Sequence, residues 1–205
     1  MKKTSGERTL LASVLLSSPG PLVLGIALFY GRSSTQLADF IRRAVELAAI
    51  VVSWAVFRIL HQHGEPDRSR QERLEGIANT CVGAALFLSG LVMLFITLSS
   101  SNSDKGNVIP GLIIAFLGAL VNSWFWLRYR KLNREEPNAI LAVQSRLYGA
   151  KSVVDSCVVV ALFSVAIAPR APITGYIDLG GSIVVAVYLI RSGIVTIRDR
   201  ELATE

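Results

Sequence analysis

Two apolar stretches of this chain each carry a basic and an acidic residue four positions apart: Arg42 with Glu46, and Lys151 with Asp155. An ionisable side chain in the hydrocarbon interior of a membrane is strongly disfavoured unless it is paired or watered, so such residues mark function by default. A spacing of i to i+4 on a helix puts both members on one face, about 6 Å apart along the axis. The two carboxylates can bind a cation or a proton. Arginine carries only donors and keeps its charge, whereas lysine can ligate or exchange a proton once neutral. Three further charges lie close by in sequence: Asp39, Arg43 and Arg146. Asp39 is placed to pair with Arg42 or Arg43, and Arg43 and Arg146 either line an anion path or snorkel toward water.

The elements that position these residues follow from hydropathy. The chain has 205 residues, 52% of them hydrophobic, with a mean hydropathy of +0.50 and charge gathered in short blocks. Six apolar stretches recur at 10–30, 35–59, 75–99, 107–129, 139–167 and 174–197. Each is long enough to cross a hydrocarbon core of about 30 Å. All are expected to be helices, because an open strand edge in lipid leaves backbone groups unpaired. The first is too long, and lacks the small-residue cleavage site, for a signal peptide. The expected fold is an all-α six-helix membrane bundle in a single domain over 1–205, with no C-terminal cytoplasmic domain.

Orientation follows from the basic residues. Arg32, Lys105 and Arg170 stand almost alone in the first, third and fifth connections, while Lys2, Lys3, Arg8, Arg58, Arg68, Arg70, Arg73, Arg128, Arg130, Lys131, Arg134, Arg198 and Arg200 fall on the other face. The positive-inside rule then puts both termini in the cytoplasm, in an inner or plasma membrane. The net charge of +6 is accounted for by topology and implies no nucleic acid. Trp124, Trp126 and Tyr129 are expected as interface anchors. Ser17-Ser18-Pro19-Gly20-Pro21 should kink or split the first span. Pro137 suits the start of the fifth helix. Gly111, Gly118, Gly180, Gly181 and Gly193 would permit close helix approach. Cys81 and Cys157 lack metal or redox spacing and are expected as small buried apolar groups. His61 to Glu72 reads as a polar loop.

The second span runs inward and the fifth outward, so Arg42 lies at the depth of Asp155 and Glu46 at that of Lys151. Counted from Gln36, Arg42 is about 9 Å in and Glu46 about 15 Å; counted from Asn138, Lys151 is about 20 Å up and Asp155 about 25 Å. The crossed pairs form a quartet of net zero charge. A purely structural reading makes them salt bridges that join two helices. Apolar residues would pack those helices at lower cost, which favours a functional role.

At these residues the chain resembles the cation diffusion facilitator, or cation efflux, family. Ser34-Thr35-Gln36-Leu37-Ala38-Asp39 followed by Arg42 and Glu46 is similar to its second-helix signature. Lys151-Ser152-Val153-Val154-Asp155 resembles its fifth-helix His-x-x-x-Asp, and Arg73-Leu74-Glu75-Gly76 the opening of its third helix. The resemblance implies the six-helix fold, exchange of a divalent cation for protons, and a homodimer with contacts along Leu74 to Ser99. It places Glu46 and Asp155 at ligand positions of a tetrahedral metal site, with Arg42 and Lys151 at the other two. Zinc takes four N, S or O ligands, and here only two positions keep one. The family's cytoplasmic metal-binding domain is not matched. His61 and His63, with Glu65 and Asp67 nearby, offer a metal-capture cluster in a loop, or simply a solvated loop.

Three functions fit. One is a cation carrier in which Lys151 competes with the substrate and exchanges a proton. A second is a carrier of an anionic or zwitterionic solute on Arg42 and Lys151. The third is a non-transporting pseudo-carrier closed by its salt bridges, with a structural or regulatory role. No nucleophile with a base and no phosphate loop points to an enzyme, and no cofactor is implied. The expected partners are the lipid bilayer, a small cation and protons.

Overall fold

The computed structural model describes residues 5–30, 34–62, 68–99, 109–167 and 172–201. All described secondary structure is helical: α1 (Ser5–Ser17), α2 (Pro19–Tyr30), α3 (Ser34–Gln62), α4 (Arg68–Ser99), α5 (Ile109–Glu135), α6 (Ala139–Ile167) and α7 (Pro172–Glu201). The polarity of the bundle is reversed from that of a water-soluble protein. Leu15, Leu22, Phe95, Leu98, Phe116, Leu120, Leu127, Phe163, Ile167 and Val184 are exposed, while Ser13, Glu46, Ser53, Ser89, Gln144, Ser152 and Thr196 are buried. An apolar exterior of that extent is a surface made for lipid. Among the described residues, four segments are long and apolar enough to cross a membrane: Phe40–His61, Arg68–Ser99, Ala139–Ser164 and Leu179–Arg198.

The first apolar stretch divides at Ser18, where Pro19 and Pro21 supply no N–H to the helix. The chain stays continuous there, since the Ser18 N–H donates to Val14 O at 3.0 Å and the Leu22 N–H to Ser18 O at 3.4 Å. The break is therefore a kink between two stacked segments. The fifth apolar stretch opens differently from expectation. Pro137 precedes the helix, and Asn138 is the cap, its Oδ1 accepting the Ile140 N–H at 2.9 Å and the Leu141 N–H at 3.4 Å. The polar stretch from His61 also shortens: α3 continues to Gln62 and α4 starts at Arg68, where exposed Arg68 pairs with Glu72 at 3.2 Å. Helix propensity and i,i+4 charge pairing carry α4 over the last five residues, 68–72, of what reads as loop.

Two antiparallel pairs dominate the packing, α5 with α6 and α4 with α7, and α3 lies mainly on α4. The α4/α7 contact rests on glycine. A Cβ at Gly193 would stand 2.6 Å from both Gly83 O and Phe87 N, and one at Gly90 would stand 2.8 Å from Ala186 O. Backbone thus meets backbone along that seam. Gly118 serves differently, as its missing side chain leaves room for the Asp155 carboxylate, 3.0 Å from where the Cβ would sit. Gly180 and Gly181 face open space, against the expectation of close approach there.

Phe125, Tyr129 and Tyr148 form an aromatic core between α5 and α6, with Phe125 and Tyr148 centroids 4.9 Å apart. Tyr129 is fully buried and donates to Ser13 Oγ at 2.8 Å. It ties α1 to α5 and is no interface anchor, whereas Trp124 is exposed. Cys81 and Cys157 are free thiols, partly rather than fully buried.

A buried charge site between α3 and α6

Residues of α3, α4, α5 and α6 converge on one polar locus inside the apolar shell. Glu46 sits on the inner face of α3, about two turns in from the start of the apolar stretch that begins at Phe40, and is only 7% exposed. Lys151 reaches it from α6, with Nζ 3.3 Å from Glu46 Oε2. The other carboxylate oxygen accepts a hydrogen bond from Ser89 Oγ on α4 at 3.0 Å. Glu46 therefore has a cation on one oxygen and a neutral donor on the other. Lys151 also lies 5.3 Å above the ring of Tyr148, one turn earlier on its own helix, so the π face adds to its stabilisation.

One turn further along α6, Asp155 is half-shielded and takes a short hydrogen bond of 2.6 Å from Asn122 Nδ2 on α5. Just below it, Ser123 and Ser152 share a hydrogen bond of 2.6 Å. The charge of Arg42 acts on both Glu46 and Asp155, and that of Lys151 on both as well. Of the crossed pairs expected from spacing, Glu46 with Lys151 closes as a direct ion pair. Asp155 is engaged instead by an amide from α5. Direct packing between α3 and α6 is slight, so this locus is where the two helices meet, and α4 fills the space between them elsewhere.

The remaining candidates lie apart. Arg43 runs past the kinked first stretch, its Nη1 3.5 Å from where a Gly20 Cβ would be. The Asp39 side chain lies outside the described residues. Arg146 is exposed on the opposite face of α6, at the edge of a cleft of about 280 Å³ shared with Trp126, Ser145, Gly149, Ser152, Val153, Tyr188 and Ser192. His61 is exposed at the end of α3; its Nδ1 donates to Phe57 O at 2.8 Å and its ring stacks on Phe57 at 4.1 Å. His63, Glu65 and Asp67 lie outside the described residues. Among the described residues, no three His, Cys, Asp or Glu side chains cluster as a metal site would require.

Sequence reasoning missed three participants, Ser89, Asn122 and Tyr148, and took Gly118 only as a site of close helix approach. Serine is too common in apolar helices to stand out. Asn122 could have been found, since an amide in an apolar stretch carries a burial penalty that a partner must offset. Tyr148 could have been found too, three residues before Lys151 and so on the same helical face.

A cation binding Glu46 Oε2 would have to displace the Lys151 ammonium that holds it. In a comparison with known families, the cation efflux transmembrane domain matches residues 10–200. No curated protein matches the chain.

Proposed function

The chain belongs to the cation efflux family of membrane transporters, and on that premise we propose that it exchanges a cation for protons at the Arg42, Glu46, Lys151 and Asp155 locus. The observation that carries this reading is the Lys151 ammonium, 3.3 Å from Glu46 inside an apolar bundle. Glu46 and Asp155 are the oxygen donors for the substrate. Lys151 is the resident cation that the substrate must displace, and its proton is the one that leaves in exchange. A carboxylate shared between a lysine and a substrate binds only one of them at a time, which couples the two fluxes. Arg42 keeps its charge throughout and lowers the affinity of the locus for a divalent ion. Two carboxylate donors beside two fixed or exchangeable cations suit a monovalent or weakly bound ion better than zinc, which demands a full tetrahedral set.

The same reading has six crossings, with α1 and α2 together forming the first, both termini cytoplasmic, and a homodimer. Purified protein in liposomes under an imposed pH gradient tests the exchange. Uptake of Zn²⁺, Mn²⁺, Fe²⁺, Co²⁺ and Na⁺ is followed together with internal pH. Counterflow of one ion with protons, abolished by Glu46→Gln, supports the proposal.

One observation favours a second reading. Glu46 already has both oxygens engaged within the protein, as a carrier closed by its own cations would. In that case the native chain moves no ion, and Arg42→Asp combined with Lys151→His moves zinc.

A further inference from the structure

Gln144, Tyr148, Lys151 and Asp155 follow one another on α6 at spacings of four, three and four, which is a single helical face. The outward face of the same helix is apolar apart from Arg146 and Ser156, and includes Val153, Val160, Phe163 and Ile167. The inward stripe begins with Gln144, whose side chain is 0% exposed and whose Oε1 and Nε2 both lack a hydrogen-bond partner. A carboxamide presents two N–H donors and an acceptor oxygen with two lone pairs. Leaving all of them unmet is strongly unfavourable, and a native protein meets such a group with water or an ion. The surrounding positions Ile140, Leu141, Val143 and Leu147 are apolar and buried, so a leucine at 144 would pack among them without that penalty.

The chemistry of the amide selects the occupant. A cation would use Oε1 and be repelled by the N–H groups beside it, and an anion would meet the reverse. Water satisfies both ends. Gln144 lies two turns, about 10 Å, from Lys151 toward the start of α6. Tyr148 stands between them, its hydroxyl sharing a hydrogen bond of 3.1 Å with Ser17.

We infer that Gln144 holds buried water, and that this water is the link between the α6 N-terminal side of the membrane and the Glu46–Lys151 pair. The carboxamide does not titrate, so it takes no proton itself. A proton released by Lys151 crosses as hydronium on the held water and leaves to bulk water, with Gln144 unchanged. The relay role rests on the exchange reading proposed above; the presence of water does not.

The test replaces Cys81 and Cys157 with alanine and introduces Gln144→Cys, with Val160→Cys as the lipid-facing control. A permanently charged methanethiosulfonate is applied to either side of proteoliposomes. Cys at position 144 is expected to react at least tenfold faster than Cys at position 160, and from one side alone. A rate no faster than that of the control from both sides overturns the water assignment. Gln144→Leu provides the second measurement. A melting temperature no higher than native, with proton flux reduced about tenfold, supports the inference. A raised melting temperature with unchanged flux means that the amide is dry, and overturns it. If the native chain moves no protons, the exchange reading fails, while fast labelling at position 144 still stands as evidence for water.

Discussion

Lys151 and Glu46 are more informative as a pair than singly. Removing one partner of a buried pair leaves the other charge without compensation, at about 3–5 kcal/mol, whereas replacing both with apolar or neutral groups is often close to neutral. Lys151→Met is therefore expected to lose about that much stability, and Glu46→Gln with Lys151→Met to regain most of it; unfolding of the purified variants in detergent measures both. Equal stability of Lys151→Met and the native chain would mean that no closed pair exists. Asp155 is held differently, by the amide of Asn122 at 2.6 Å. Hydrogen bonds to charged groups contribute about 1.5–3 kcal/mol, so Asn122→Ala should destabilise by that order and free a carboxylate oxygen. Cation competition in the flux assay would report the freed oxygen as tighter binding. The four charges were legible in the sequence because charge inside an apolar stretch is costly and conspicuous. Their neutral partners were not, since nothing in a single Ser89 distinguishes it from any other small residue in a lipid-spanning helix, and Gly118 stood out only as room for close approach.

Helices in this bundle are joined where side chains are smallest. The α4/α7 seam depends on Gly83, Gly90 and Gly193, where an added Cβ meets backbone atoms that cannot rotate away. Gly193→Ala is expected to cost about 1–3 kcal/mol, the range for overpacking, with the true value toward the top because the clash is with backbone. Gly180→Ala, facing open space, should be neutral or slightly stabilising through helix propensity. Comparing their melting temperatures separates seam from surface. The sequence showed glycine in these helices but not which ones touch. The heptad spacing of Gly76, Gly83 and Gly90 on α4 was the available signal, because residues seven apart share a face. The start of α6 was misread for a related reason. Proline is a good first helical residue, yet Asn138 follows it and caps better with its side-chain oxygen. Asn138→Ala should cost about 1 kcal/mol, read by the same unfolding assay.

At the scale of the whole molecule the number of crossings decides how the site is reached. Length and hydropathy alone qualify α3, α4, α6 and α7. Packing argues that α5 crosses as well. It runs antiparallel to α6 in register from Asn122 opposite Asp155 to Trp126 against Gly149, so it shares the depth of its partner. Its outward residues Ile113, Phe116, Leu117, Leu120, Val121 and Leu127 are exposed and apolar, a face that water would not tolerate at that extent. Its 27 residues reach about 40 Å, more than a hydrocarbon core requires. On the proposed topology, the basic cluster Arg128, Arg130, Lys131 and Arg134 at its end would lie on the cytoplasmic side. Single cysteines at Ser103 and Glu135, in a background without Cys81 and Cys157, put this to the test with a membrane-impermeant maleimide on oriented vesicles. Ser103→Cys should label from outside and Glu135→Cys from inside. Labelling of both from one side would mean that α5 returns without crossing, and the Asn122–Asp155 contact would then have to lie at the membrane surface instead of within it.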